Sequence, residues 1–224
     1  MMGVRSIIHI RSIIQHTRVN GPGDRLLLHL QGCEGMPCRF VCFNKDSHPK
    51  EPPERVTCVP EAPDFRILPS MDPADLAAVL VQLRKISGSP LEFTISGGEP
   101  TQQRVPLLAL LRGLRAKGGG TVVFTGYPAK LLTHHDDELL RASDAWVAGP
   151  YNPELPHNAG LRSSANQQVL LTTARYRVED FEEPLGVEVH ATRKGKVLVT
   201  GFPTEDQINQ LKATREPFQH NPVS

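Results

Sequence analysis

The sequence predicts an α/β fold whose parallel sheet is covered on both faces. Three observations predict it. Short, nearly uninterrupted apolar runs of strand length recur along the chain, as in strands buried on both sides. Between them lie stretches whose apolar residues repeat at helical spacing. Every chemically unusual cluster follows directly on a strand-length run, which is where open parallel sheets and α/β barrels hold their ligands.

Taken in order, the N-terminal stretch MMGVRSIIHIRSII has an apolar run interrupted by Arg11 and no small-residue cleavage site, which argues against a signal peptide. Leu26–Leu30 is the first expected strand. The segment Lys45 to Pro69, rich in proline and charge, reads as an insertion or long loop. Asp72 and Pro73 stand where an N-cap and a first-turn proline belong, ahead of Leu76, Val79, Leu80 and Leu83 at i, i+3, i+4, i+7. Leu91–Ile95 is the next strand. Leu107, Leu110, Leu111 and Leu114 form a second helical stripe, which Gly118 to Gly120 stop. Strands follow at Thr121–Phe124, Ala145–Ala148 and Gln168–Leu171. His134, His135, Asp136 and Asp137 read as the solvated face of a short helical stretch. Glu188–Ala191 and Lys196–Thr200, split by Arg193-Lys194-Gly195, read as a hairpin. Thr204 and Gln207 make a capping box for a last helix through Leu211, and residues 216–224 read as a flexible tail.

A chain of 224 residues suits a single domain, here 1–224, with room for a real core. Its 39% hydrophobic and 22% charged residues are those of a globular protein, not a disordered one. The 25 basic and 24 acidic residues nearly cancel and form no basic stripe, which argues against nucleic acid as a partner. No apolar run reaches the roughly 18–20 residues of a membrane helix. Three of the four cysteines fall within ten positions. That is not a dispersed disulfide framework, and it points to a cytoplasmic protein with a metal or redox site.

Cys33, Cys38 and Cys42 place three soft thiolates on the loop after the first strand. Such a set suits zinc, with Cys58 or His48 as fourth ligand, or an iron–sulfur cluster with one iron left open. The cysteines alone leave both open. Thr94-Ile95-Ser96-Gly97-Gly98-Glu99-Pro100 ends the next strand: its glycines let a ligand approach the backbone, Glu99 offers an acceptor for an amino group, and Pro100 ends the pairing. The plain alternative is a strand-to-helix turn. Cys58 reads as an unligated thiol and His190 as a hydrogen-bonded structural residue.

A three-cysteine loop followed by this Gly-Gly-Glu-Pro turn resembles the radical S-adenosylmethionine superfamily. The likeness is closest to its small glycyl-radical activating enzymes, especially the activators of anaerobic ribonucleotide reductase. Thr17 to Arg25, Gln31-Gly32-Cys33, Cys42-Phe43-Asn44, Thr125-Gly126-Tyr127, Arg162 to Gln167 and Gly195 to Pro203 resemble further blocks of that group. The family has gaps of three and two residues between its cysteines. This chain has four (Glu34 to Pro37) and three (Arg39 to Val41), so its loop must bulge to present the sulfurs. Ala148 stands where the reductase activators commonly carry an acidic residue.

The resemblance implies a partial (β/α)6 TIM-like barrel, with a [4Fe-4S] cluster on Cys33, Cys38 and Cys42. It implies S-adenosylmethionine bound by Gly97, Gly98, Glu99, Pro100, Thr125, Tyr127, Arg162 and Asn166. Arg162, as a fixed cation, is expected to meet the cofactor's carboxylate. Tyr127 and Tyr151 at the rim either touch its adenine or merely close the barrel. Reductive cleavage of the cofactor to a 5′-deoxyadenosyl radical would then generate a glycyl radical on a partner enzyme. Flavodoxin or ferredoxin would be the reductant. A radical enzyme acting on a small molecule, or a non-catalytic metal-binding module on the same fold, are the alternatives.

Overall fold

A computed structural model describes residues 6–135, 137–157, 160–182, 186–192, 195, 197–202, 206, 207 and 210. Its first half runs β1 (Ile8–Thr17), β2 (Arg25–Leu30), β3 (Thr57–Val59), β4 (Ser70–Met71), α1 (Pro73–Ile86), β5 (Glu92–Gly97) and α2 (Arg104–Ala116). Then come β6 (Thr121–Thr125), α3 (Ala129–His135), α4 (Asp137–Ala142), β7 (Ala145–Ala148), β8 (Gln168–Leu171), β9 (Val187–Ala191) and β10 (Val197–Gly201). The main sheet has the order β3-β1-β2-β5-β6-β7-β8, with β4 beside β1. Strands β2, β5, β6 and β7 are mutually parallel, so their carboxyl ends share one rim. This is the expected mixed α/β architecture with a mostly parallel sheet. No described helix is long and apolar enough to cross a membrane.

The helices form as their sequences dictate. The Asp72 carboxylate accepts from the Ala74 amide at 2.8 Å and Pro73 takes the first turn. Leu76 and Leu80 of α1, and Leu107, Leu110, Leu111 and Leu114 of α2, are fully buried against Leu26, Leu28, Phe93 and Ile95 of the sheet. Each such leucine contributes about 1.5–3 kcal/mol of burial. A smaller cluster of Val122, Ala145, Val147, Leu161, Tyr176 and Phe181 packs against the other face.

Four features differ from the sequence reading. Ile8–Thr17, read in the sequence only as an apolar run interrupted by Arg11, is the longest strand among the described residues; an extra residue between Ile10 and Ser12 breaks its alternation against β2. The segment Lys45 to Pro69 is not merely a loop, because it carries β3, which pairs parallel with β1 and puts Cys58 opposite Ile13. Gln168–Leu171 is a strand, but it runs antiparallel to β7. Arg25, noted in the sequence only as the end of the block Thr17 to Arg25, is fully buried. Its guanidinium donates to Thr94 Oγ1 (3.0 Å), the Tyr176 hydroxyl (2.8 Å) and the Phe93 carbonyl, fastening the start of β2 to β5.

The late hairpin is present as β9 and β10, a separate two-stranded sheet. The Arg193-Lys194 turn, the Thr204 capping box with Leu211, the face at His134 to Asp137 and the tail 216–224 lie outside the described residues or side chains.

Candidate functional site

A cavity of about 870 Å³ opens where the carboxyl ends of β2, β5, β6 and β7 converge, a volume suited to a cofactor-sized ligand. Cys38, Cys42, Gly97, Gly98, Thr125 and Gly126 line it on the rim side. Opposite the rim, Val197 to Phe202 of the hairpin form a wall.

Cys33 follows β2 directly and is buried; its amide donates to the His48 carbonyl at 3.0 Å. The chain then turns through a short 3-10 segment, Pro37–Phe40, which carries Cys38. The Tyr151 amide donates to the Cys38 thiol, and the Asn44 amide donates to that of Cys42 at 3.3 Å. Phe43 packs on Tyr151 with ring centroids 5.3 Å apart. These contacts tie the cysteine loop to the end of β7.

Burial pushes the Cys33 thiol up to about 11, helped by the nearby charges of Glu99, Cys38 and Cys42. Burial also raises Cys38 and Cys42. Among the described residues, no three or more His, Cys, Asp or Glu side chains are gathered around the position of a single metal ion.

The Gly-Gly-Glu-Pro turn also ties the end of β5 to its neighbours. A Cβ on Gly98 would stand 2.2 Å from the Gly32 carbonyl oxygen, so the close approach of β5 to the start of the cysteine loop requires glycine there. Glu99 is only 2% exposed. Its Oε1 accepts from the Thr101 amide (3.0 Å), the Thr101 hydroxyl (2.7 Å) and the Thr125 hydroxyl (2.7 Å), and its Oε2 from the Gly126 amide (2.8 Å). Burial raises its pKa, against four hydrogen bonds that favour the carboxylate. Through these bonds Glu99 clamps the ends of β5 and β6 together. Pro100, also buried, opens the 3-10 turn that follows.

Tyr127, Arg162 and Asn166 do not line this cavity, although Gly126, Ser163 and Gln167 beside them do. The Tyr127 amide donates to Thr125 Oγ1 at 3.1 Å, and the residue is not among those lining the cavity. Arg162 lines a second cavity of about 310 Å³ with Val178 and Phe181, its Nη2 2.9 Å from His157 Nε2. Asn166 donates through Nδ2 to the Pro150 carbonyl at 2.7 Å, while its Oδ1 is buried without a partner. Cys58 lies on β3, its sulfur 3.5 Å from Gln15 Nε2.

Sequence reasoning missed the polar part of the cavity: Arg11, Ser12, His29 and Ser96. The available signal was a polar residue inside an apolar strand, His29 in Leu26–Leu30 and Ser96 at the end of β5. It missed the hairpin's role as a wall because that contact is long-range.

Residues 19–170 match the family described as the 4Fe-4S single cluster domain. Over 208 residues the chain is 24% identical to the pyruvate formate-lyase-activating enzyme of Staphylococcus epidermidis, an alignment covering 91% of this chain and 73% of that one.

Proposed function

Because the chain belongs to the 4Fe-4S single cluster domain family and is an enzyme of its radical S-adenosylmethionine activase type, we propose that it cleaves S-adenosylmethionine reductively and makes a glycyl radical on a partner enzyme. Cys33, Cys38 and Cys42 would hold the cluster, leaving one iron for the cofactor. When bound, the reduced cluster and S-adenosylmethionine supply a 5′-deoxyadenosyl radical; that chemistry is theirs, and the protein's part is binding, orientation and exclusion of water.

One observation carries this reading: Cys38 and Cys42 line the same cavity as Gly97, Gly98, Thr125 and Gly126. The donor set fits the group, being three soft thiolates with backbone amides donating to two of them, an arrangement that tunes iron–sulfur clusters. Gly97 and Gly98 offer backbone to the cofactor's methionine part without a side chain in the way. Glu99 and Pro100 hold that backbone in place, and Thr125 and Gly126 stand across from it. Phe43, packed on Tyr151, lines the same cavity.

The partner is tested by electron paramagnetic resonance. Reconstituted enzyme, the cofactor and a strong reductant, mixed anaerobically with a glycyl-radical protein from the same genome, should produce a glycyl doublet on that protein. Cofactor turnover without the doublet, for every such protein the genome encodes, removes the activase assignment in favour of a small-molecule substrate.

A further inference from the structure

We infer that Ser12, His29 and Ser96, with Asn20 beside them, form a subsite for the uncharged backbone amides of a substrate peptide. The inference rests on the activase reading and adds which residues receive the partner's segment.

Ser12 of β1 stands opposite His29 of β2, and His29 stands beside Ser96 of β5, so the three form one row across adjacent strands. Strands covered on both faces ordinarily carry apolar side chains there. This row instead faces the cavity. Ser12 Oγ and His29 Nδ1 are 3.0 Å apart, which fixes the ring. His29 Nε2 and Ser96 Oγ have no hydrogen-bond partner among the described residues. Asn20 Oδ1 accepts from the Thr17 and Thr200 hydroxyls at 3.0 and 2.6 Å, which leaves its Nδ2 uncommitted.

The charges at the row argue for a neutral ligand. Burial, with a smaller push from Arg11, lowers the His29 pKa to about 4, so the imidazole is neutral at pH 7. The extra residue that shifts the β1–β2 register is at Arg11, and bulges of this kind re-aim a side chain. Arg11 lines the cavity with its guanidinium 3.4 Å from the Asp46 carboxylate, which lines it too. Among the described residues that line the cavity, Arg11 is the one cation, and it has its counter-ion. Neutral donors and acceptors on one side, facing Val197, Val199 and Phe202 on the other, match an extended backbone with its alternating N–H and C=O groups. Ser96 directly precedes Gly97, so a segment bound here lies beside the proposed cofactor contacts.

The test is a titration of the reconstituted holoenzyme with its oxidised cluster and S-adenosylmethionine bound, following the His29 ring by nuclear magnetic resonance. The probes are N-acetylglycine N-methylamide, acetate and inorganic phosphate. The amide should shift the His29 signals saturably and the two anions should not. Ser96→Ala should weaken the amide about fivefold, the loss of one neutral hydrogen bond. Ser12→Ala serves as the second variant if thermal melting shows that the first does not fold. Saturable shifts with acetate or phosphate alone would overturn the inference in favour of an anionic substrate. No shift with any probe, or wild-type affinity in the folded variants, would overturn it outright. The readout needs no turnover, so a wild-type enzyme that fails to cleave the cofactor defeats the proposed function separately.

Discussion

Gly98→Ala should disrupt the cysteine loop although it adds only a methyl group. The new Cβ would lie 2.2 Å from the Gly32 oxygen and 2.8 Å from its carbonyl carbon. Ordinary C···O contacts are about 3.3 Å or longer, so something must move by about 1 Å. Gly32 cannot yield freely. Its oxygen accepts from the Glu99 amide at 2.8 Å and its amide donates to the Ser47 carbonyl at 2.7 Å. Overpacking at about 1–3 kcal/mol, plus two strained backbone bonds at about 1 kcal/mol each, gives a cost of roughly 3–5 kcal/mol. In a chain of this size that lowers the melting temperature by roughly 10 °C. Iron uptake should fall with it, since Gly32 adjoins Cys33. Gly126→Ala is the contrast. Its Cβ would meet the free end of Met36 at 2.7 Å, an unbranched side chain that can turn away, so the cost stays below about 1 kcal/mol. Calorimetry and iron analysis of both variants decide the matter. A Gly98→Ala protein melting within about 2 °C of wild type and taking up the same iron would refute the reasoning.

Glu99→Ala strands four donors, one buried and three part-buried, and should cost about 2–4 kcal/mol in urea unfolding, more than Glu99→Gln, which keeps one acceptor oxygen; equal costs would argue against the clamp. His29 gives a pH signature: its folded pKa of about 4 lies below the ordinary 6.5, so the unfolded chain takes up the proton first. Stability is whole above pH 6.5 and declines as pH falls toward 4, by at most about 3 kcal/mol and less because the ring borders a cavity. His29→Gln should flatten that part of the acid limb, and an unchanged slope would show that the ring is not buried neutral. Arg25→Lys, whose ammonium cannot reproduce the planar fork to Thr94, Tyr176 and Phe93, should cost about 2–4 kcal/mol by the same measurement.

Much of the fold was legible because it rests on local patterns. The Asp72-Pro73 cap and the leucine stripes of α1 and α2 fall where the spacing places them, and the convergence of motifs on one rim follows from parallel strands. Strand β1 escaped because its bulge breaks the alternation that marks a strand. The direction of β8 escaped because a four-residue run carries no sign of polarity. Within the site, the cysteines and glycines were visible as sequence motifs. The turn of Glu99 inward was not, since its donors Thr125 and Gly126 lie 26 and 27 residues away. The place of Arg162 in the lining of a second cavity likewise depends on tertiary contacts.

The central claim is that this chain holds a cluster that activates S-adenosylmethionine. Anaerobic reconstitution followed by iron, sulfide and 5′-deoxyadenosine analysis tests it most directly. About four irons and four sulfides per chain, with 5′-deoxyadenosine formed only under strong reductant, is the predicted result. Zinc bound in place of iron, or a full cluster that releases no 5′-deoxyadenosine, would contradict it.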